Sequence, residues 1–232
     1  FLDGEDKRYL PSIRESLPFI TEWLDRRRRG MDSRPQIGKE YYQPALDEGF
    51  YFKREKSDYV CRTETVHPIS FSIPEQKIRD SQPEKNRIFQ THVQCDIAYE
   101  LEEVTDNCTS EPIFDSEVTY FDDIAAAKYG ITMKKGGWEC MRHYEIAANW
   151  AVPCFYNLVE KPPECAPHGL KDMHNCISFS SAEELRRKIN YIEQNDLYEV
   201  IQENSVQWVR ENTCRLKAKS VLETIGAIAD LD

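Results

Sequence analysis

Two lysines, Lys134 and Lys135, precede two glycines, Gly136 and Gly137, and Arg142 and Glu145 follow three residues apart. These residue types suit a phosphorylated ligand. Glycines let the backbone approach a ligand closely. A helix opening just after them offers free N–H groups and a positive dipole end to an anion. An arginine on that helix can hold phosphate oxygens in a bidentate way. A carboxylate three residues on lies on a neighbouring helical face and is suited to accept from ribose hydroxyls. Glu139, read as part of the first turn, stands where it would meet sugar hydroxyls. The order of polar groups suggests a bound nucleoside diphosphate with a sugar attached. An architectural reading fits the same spacing: Lys134 and Lys135 as surface charges, Arg142 paired with Glu139 or Glu145, and Trp138 in the core.

The surrounding pattern supplies the elements that must position these groups. Residues 129–133 form a short apolar run that reads as a buried strand. The key helix is expected over 138–149 and the next strand over 152–155. In such strand–turn–helix units ligands bind at the carboxyl ends of the strands. Before this block, 88–93 reads as a strand, and 118–128 as a helix with Phe121, Ile124 and Ala125 on one face. Residues 100–117 are acidic and irregular. After it, 175–179 reads as a strand, and Ser181 with Glu184 forms a capping box for a helix through Gln194. Residues 196–225 read as a long amphipathic helix or a helix pair. Strands alternating with helices predict an α/β fold with a Rossmann-like parallel sheet flanked by helices.

The N-terminal part differs. A helix is expected over 11–29, kinked at Pro18, then a loop, a short aromatic strand at 49–54 and an extended piece at 66–73. Residues 75–87 are polar, contain Pro83 and read as a linker. The resulting domains are 1–80 and 81–232.

Composition narrows the classes. The net charge of −11 argues against a general nucleic-acid binder, which needs a basic surface. The one strong basic run, 26–29, reads as the solvated end of a helix. No apolar run approaches the ~20 residues needed to span a membrane, and no signal-peptide pattern opens the chain. The start at Phe1-Leu2-Asp3-Gly4 reads as a strand end entering a loop, which predicts a fragment. Eight cysteines without a C-x-x-C pair read as incidental thiols in a reducing, cytoplasmic setting. Asn107-Cys108-Thr109 matches a glycosylation sequon by pattern only. Cys165, His168, His174 and Cys176 cluster, but their spacing matches no usual structural zinc pattern, so no metal site is expected.

The order KKGGWECMRHYEI over 134–146, followed by VPCF at 152–155, resembles the donor-binding end of GT-B-type glycosyltransferases, especially group 1-like and exostosin-like members. Other pieces resemble the same family: DGED at 3–6, YFKRE at 51–55, HPISFSIP at 67–74 and NCISFSSAEEL at 175–185. The likeness spans most of the chain, and the 134–146 block is its specific part. It implies two Rossmann-like domains with a cleft between them. Residues 1–80 would be the end of the acceptor-side domain and 81–232 the nucleotide-sugar-binding domain. Carried over, Arg142 would bind the diphosphate, Glu145 the ribose or base end, and Gly136 and Gly137 would lie under the phosphates. The resemblance implies no metal or other cofactor, as the family usually needs none. Its partners would be a nucleotide-sugar donor and a glycan or other hydroxyl acceptor.

The chain departs from the family at three points. Trp150 stands where the family has a glycine, which leaves Asn149 to supply a left-handed turn. Glu139 and Glu145 are closer than in the family's two-glutamate pattern, so Glu139 takes no catalytic role. The acceptor-side domain is short. His67 and Asp3 remain as acceptor-side base candidates, His67 equally as a structural loop histidine. The alternative to an enzyme is a non-catalytic nucleotide-sugar-binding or interaction module.

Overall fold

The computed structural model describes residues 2–3, 50–55, 66–91, 96–101 and 113–226. The chain forms two compact units, Phe1–Ser70 with Pro162–Ala166, and Phe71–Lys161 with Pro167–Asp232. In the first unit, β1 (Leu2–Asp3), β2 (Tyr51–Lys53) and β3 (Val66–Pro68) lie parallel in that order. The segment 162–166 joins this unit through a bridge between Glu55 and Cys165, and Ala166 N donates to Arg54 O at 2.9 Å. The helix expected over 11–29 and its basic end lie outside the described residues.

The second unit carries β4 (Arg87–Phe89), β5 (Ala127–Met133), β6 (Val152–Tyr156) and β7 (Ile177–Phe179), all parallel and in sequential order. Helix α1 (Glu117–Ala126) precedes β5, and α2 (Met141–Ala148) links β5 to β6. Helices α3 (Ala182–Gln194), α4 (Tyr198–Arg210) and α5 (Cys214–Thr224) follow β7. This is the α/β arrangement that the alternation of patterns predicts. The long amphipathic stretch is a helix pair, with Thr213 capping the second helix through Leu216 N. Ser181 caps α3 through Glu184 N at 3.1 Å, but the Glu184 carboxylate reaches back to Ser180 N rather than to Ser181.

Period-two alternation sorts the strands into two faces. Tyr129, Ile131, Val152, Cys154, Ile177 and Phe179 share one face and pack with Leu185 and Ile192 of α3 and Ile201 of α4. The other face carries Gly130 beside Pro153 and Thr132 beside Phe155, and here α2 lies very close. A Cβ at Gly130 would stand 2.6 Å from Ile146 Cγ2. Only glycine admits the helix at that depth.

Three expectations change. Residues 75–87 are not a linker: Phe71 onward belongs to the second unit, and the polar groups of this stretch cap helix ends. Arg79 N donates to Ala148 O at 3.0 Å, and Arg79 Nε to Asn149 Oδ1 at 2.8 Å. Lys85 Nζ reaches Ala125 O at 2.8 Å and Asn149 O at 3.4 Å, so one ammonium serves the carbonyl ends of both α1 and α2. Burial, and then nearby Arg79, pull Lys85 down to about 7.

The second change is at Trp150, which itself takes the left-handed turn (φ 59°), whereas Asn149 stays at φ −97°. Ala151 N bonds Ile146 O and Trp150 N bonds Ala147 O, both at 3.1 Å, closing a Schellman motif. A left-handed non-glycine residue costs roughly 1–2 kcal/mol. The indole offsets it by donating to Arg79 O at 2.9 Å and by lying under Arg210. The third change is the later start of α2, which bears on the site.

Gly130→Ala must push Ile146 and α2 off the sheet. We expect a loss of about 1–3 kcal/mol, as for other overpacked cores, read as a lower urea midpoint at unchanged slope. An unchanged midpoint would mean that the helix has room to spare.

Candidate anion-binding site

The site is built outward from one buried ring. His143, in the first turn of α2, is wholly buried. Its Nε2 lies 3.0 Å from Trp138 O and its Nδ1 2.8 Å from Thr132 Oγ1. A carbonyl only accepts, so Nε2 carries the hydrogen and Nδ1 accepts from the Thr132 hydroxyl. The ring packs 4.5 Å from Phe155. One side chain therefore ties the end of β5, the following loop, β6 and α2 together. Burial pulls His143 down to about 4, so it is neutral.

This contact explains the late start of α2. Residues 134–140 form a loop, and the helix begins at Met141 rather than at 138. Trp138 is buried and stacked on Phe155, with its carbonyl committed to His143. The glycines therefore do not open the helix but lie in the loop upstream of it, Gly136 exposed and Gly137 buried. Glu139 precedes the helix rather than lying in its first turn. It is buried, and its Oε1 accepts from Phe71 N at 2.8 Å and from the Tyr144 hydroxyl.

Cys140 is the N-cap residue. Its thiol lies against the amides of Arg142 and His143 without closing a capping hydrogen bond. A thiol is a weak acceptor, so the start of α2 keeps much of its positive character. Burial pushes this thiol up, against the pull of Arg142.

Of the sequence-predicted residues, Arg142 lies within electrostatic reach of both Lys135 and Glu145. Burial, and then the Arg142 charge beside it, hold Lys135 below the usual lysine range. Two cations thus neighbour each other, Lys135 in the loop after β5 and Arg142 in the first turn of α2. Lys134 stands apart, with its Nζ 4.9 Å above the Trp138 ring. Glu145 is half-buried and accepts from the Tyr120 hydroxyl at 3.0 Å. Burial pushes its carboxyl up, while Tyr120, Arg142 and Lys77 hold it down. Sequence reading missed Tyr120, whose only local signal is its place one turn before Ile124 on the packed side of α1.

The remaining candidates lie elsewhere. His67, in β3, packs between Phe50 and Phe52 at 5.6 and 5.3 Å. Asp3 ends β1 in register with Lys53, and 4–6 lie outside the described residues. His168 O accepts from the Trp208 indole, and Cys176 is buried beside Asp172. Among the described residues no group of three His, Cys, Asp or Glu is placed to hold a metal ion, and no helix is long and apolar enough to cross a membrane.

No family model and no curated protein matches the sequence. Solved structures do. A glycosyltransferase from Rickettsia africae ESF-5 superposes with a TM-score of 0.54 at 13% identity, over 86% of this chain and 69% of that one. The chain shares its fold with a glycosyltransferase. Two further matches are weaker: the pneumococcal O-GlcNAc transferase GtfA in complex with UDP and GlcNAc (TM-score 0.47, 12% identity, 82% of this chain and 48% of that) and a GtfA/B complex (0.47, 11%, 81% and 47%). At such identities the likeness concerns the fold alone.

The buried imidazoles make stability pH-dependent. His143 and His168 are both held near 4 in the folded chain, below the ordinary histidine value of 6.5. Their stabilisation is full above about pH 6.5 and lost as pH falls toward 4, because the unfolded chain takes up protons that the folded one refuses. For His143 the whole span is worth about 3 kcal/mol. Urea unfolding at pH 7 and pH 5 should show a weaker protein at pH 5, and a smaller drop in His143→Gln. An equal drop in the variant would remove His143 from this account.

Proposed function

We propose that this chain binds a nucleoside diphosphate sugar at the start of α2 and transfers the sugar to an acceptor hydroxyl. The observation that carries this reading is the nearness of Lys135 and Arg142, one in the loop after a parallel strand and the other in the first turn of the helix that follows. A diphosphate has the charge and the spread of oxygens to engage two neighbouring cations. The shared fold is consistent with this reading, but fold alone does not assign chemistry.

In this reading Lys135 and Arg142 hold the diphosphate oxygens, with Gly136 and Gly137 letting the backbone come close beneath them. Glu145 accepts from a ribose hydroxyl. Transfer forms a bond from the acceptor oxygen to the anomeric carbon and breaks the bond from that carbon to the diphosphate. Negative charge then builds on the departing diphosphate. Cations and helix amides already fixed around it stabilise that charge without reorganising, which is where such sites gain most of their rate. The acceptor's proton leaves with a base that we do not assign to a residue of this chain.

Calorimetry with UDP, GDP and their sugar conjugates tests the reading. Arg142→Ala should weaken nucleotide binding about ten- to a hundredfold, the worth of hydrogen bonds to a charged group, and Lys135→Ala should weaken it less. Tight binding that survives Arg142→Ala would place the phosphates elsewhere. Binding without any sugar transfer or donor hydrolysis would reduce the reading to a binding module.

A further inference from the structure

Residues 130 and 132 stand on the same face of β5, the face that α2 covers. Gly130 gives way to Ile146. Thr132 instead presents a hydroxyl, 2.8 Å from Nδ1 of His143, which lies about one turn before Ile146 on the helix. Thr132 is 1% exposed and His143 0%. A polar atom buried so deeply is costly without a partner, and each of these two groups depends on the other.

The ring's tautomer follows from its two neighbours. Trp138 O, 3.0 Å from Nε2, can only accept, so the ring holds the loop only while Nε2 carries the hydrogen. That tautomer leaves a lone pair at Nδ1, which needs a donor, and the Thr132 hydroxyl supplies it. The Cys140 thiol is a second donor nearby, 3.8 Å from Nδ1 and 3.9 Å from Thr132 Oγ1, but a thiol donates weakly. Without the hydroxyl, the ring either keeps an unsatisfied lone pair at Nδ1 or shifts its hydrogen there and sets a lone pair against the Trp138 carbonyl. Both loosen its hold on the loop. Trp138 anchors the middle of that loop, with its ring stacked on Phe155 at 6.4 Å and Lys134 Nζ 4.9 Å above it. Lys135, Gly136 and Gly137 come directly before, and Lys135 N closes on Gly137 O at 3.0 Å.

We propose that Thr132 is a positioning residue for the nucleotide site: its hydroxyl holds His143 in the tautomer that donates to Trp138 O, and so fixes the loop that presents Lys135 and the two glycines to a diphosphate. This rests on the function proposed above. Thr132→Val keeps the branched shape and removes the hydroxyl. Thr132→Ser keeps the hydroxyl and removes a methyl group.

The test combines nitrogen-15 NMR of the imidazole rings with UDP and GDP calorimetry at pH 7.5. It compares the wild type, Thr132→Val, Thr132→Ser and Arg142→Ala, each confirmed folded by thermal melting, with His143→Gln assigning the His143 signals. Thr132→Ala takes the place of Thr132→Val if that variant does not fold. The wild type should show His143 protonated at Nε2 alone. Thr132→Val should lose that single form and bind nucleotide about tenfold more weakly, the worth of about one hydrogen bond. Thr132→Ser should restore both. A role in packing alone would lower the melting temperature of Thr132→Val and leave tautomer and affinity as they were. Thr132→Val binding within about twofold of wild type, while Arg142→Ala still loses the nucleotide, would overturn this inference and leave the function intact. Weaker binding with the Nε2 tautomer unchanged, or without recovery in Thr132→Ser, would overturn it as well. If the wild type binds neither UDP nor GDP, the function falls and the inference with it.

Discussion

A neutral imidazole has one donor and one acceptor, and in the second unit His143 spends both on fixing a loop to a sheet. The ring also needs apolar cover, which Phe155 gives from the neighbouring strand. These demands are met only if α2 lies close to the sheet, and that closeness rests on the missing side chain at Gly130. The rest of the carboxyl edge follows. Trp138 turns inward, residues 134–140 become a loop, the helix starts at Met141, and Arg142 lands beside Lys135. The candidate site is thus a consequence of packing on its own underside.

The two ends of α2 are treated in opposite ways. At the start, no side chain closes a capping hydrogen bond, and His143 N turns back to Cys140 O at 3.3 Å. At the finish, the carbonyls are covered many times over: by the Schellman turn at Trp150, by the Arg79 backbone, and by the Lys85 ammonium shared with α1. A helix whose negative end is neutralised and whose positive end is left open favours an anion at the open end.

The fold was legible because its signals are local. Apolar runs at 129–133 and 152–155 and the capping residues at Ser181 and Glu184 announce strands and helices within a few positions. Arg142 and Glu145 both fall on α2, and three residues on a helix suffice to bring them near each other. What escaped depends on contacts distant in sequence. Residues 75–87 look like a linker because they are polar, yet their polarity serves helix ends about 40 and 65 positions further on. Trp150 resembles a misplaced residue until its indole finds Arg79 O. Tyr120 meets Glu145 across 25 positions and two elements, and no spacing rule reaches that far. Glu139 misled for a related reason: a carboxylate near a glycine turn suits a sugar, but here a backbone amide and a phenol already occupy it.

Helix α2 has only eight residues. Isolated helices shorter than about 12–15 residues are marginal in water, so this one does not precede the sheet during folding. Its stability comes from the pairing of β5 with β6 and the docking of Ile146 over Gly130, so the start of α2 is only as firm as the sheet beneath it. Any ligand held there discriminates between finished and unfinished molecules, and its binding energy is felt as resistance of the whole sheet to opening.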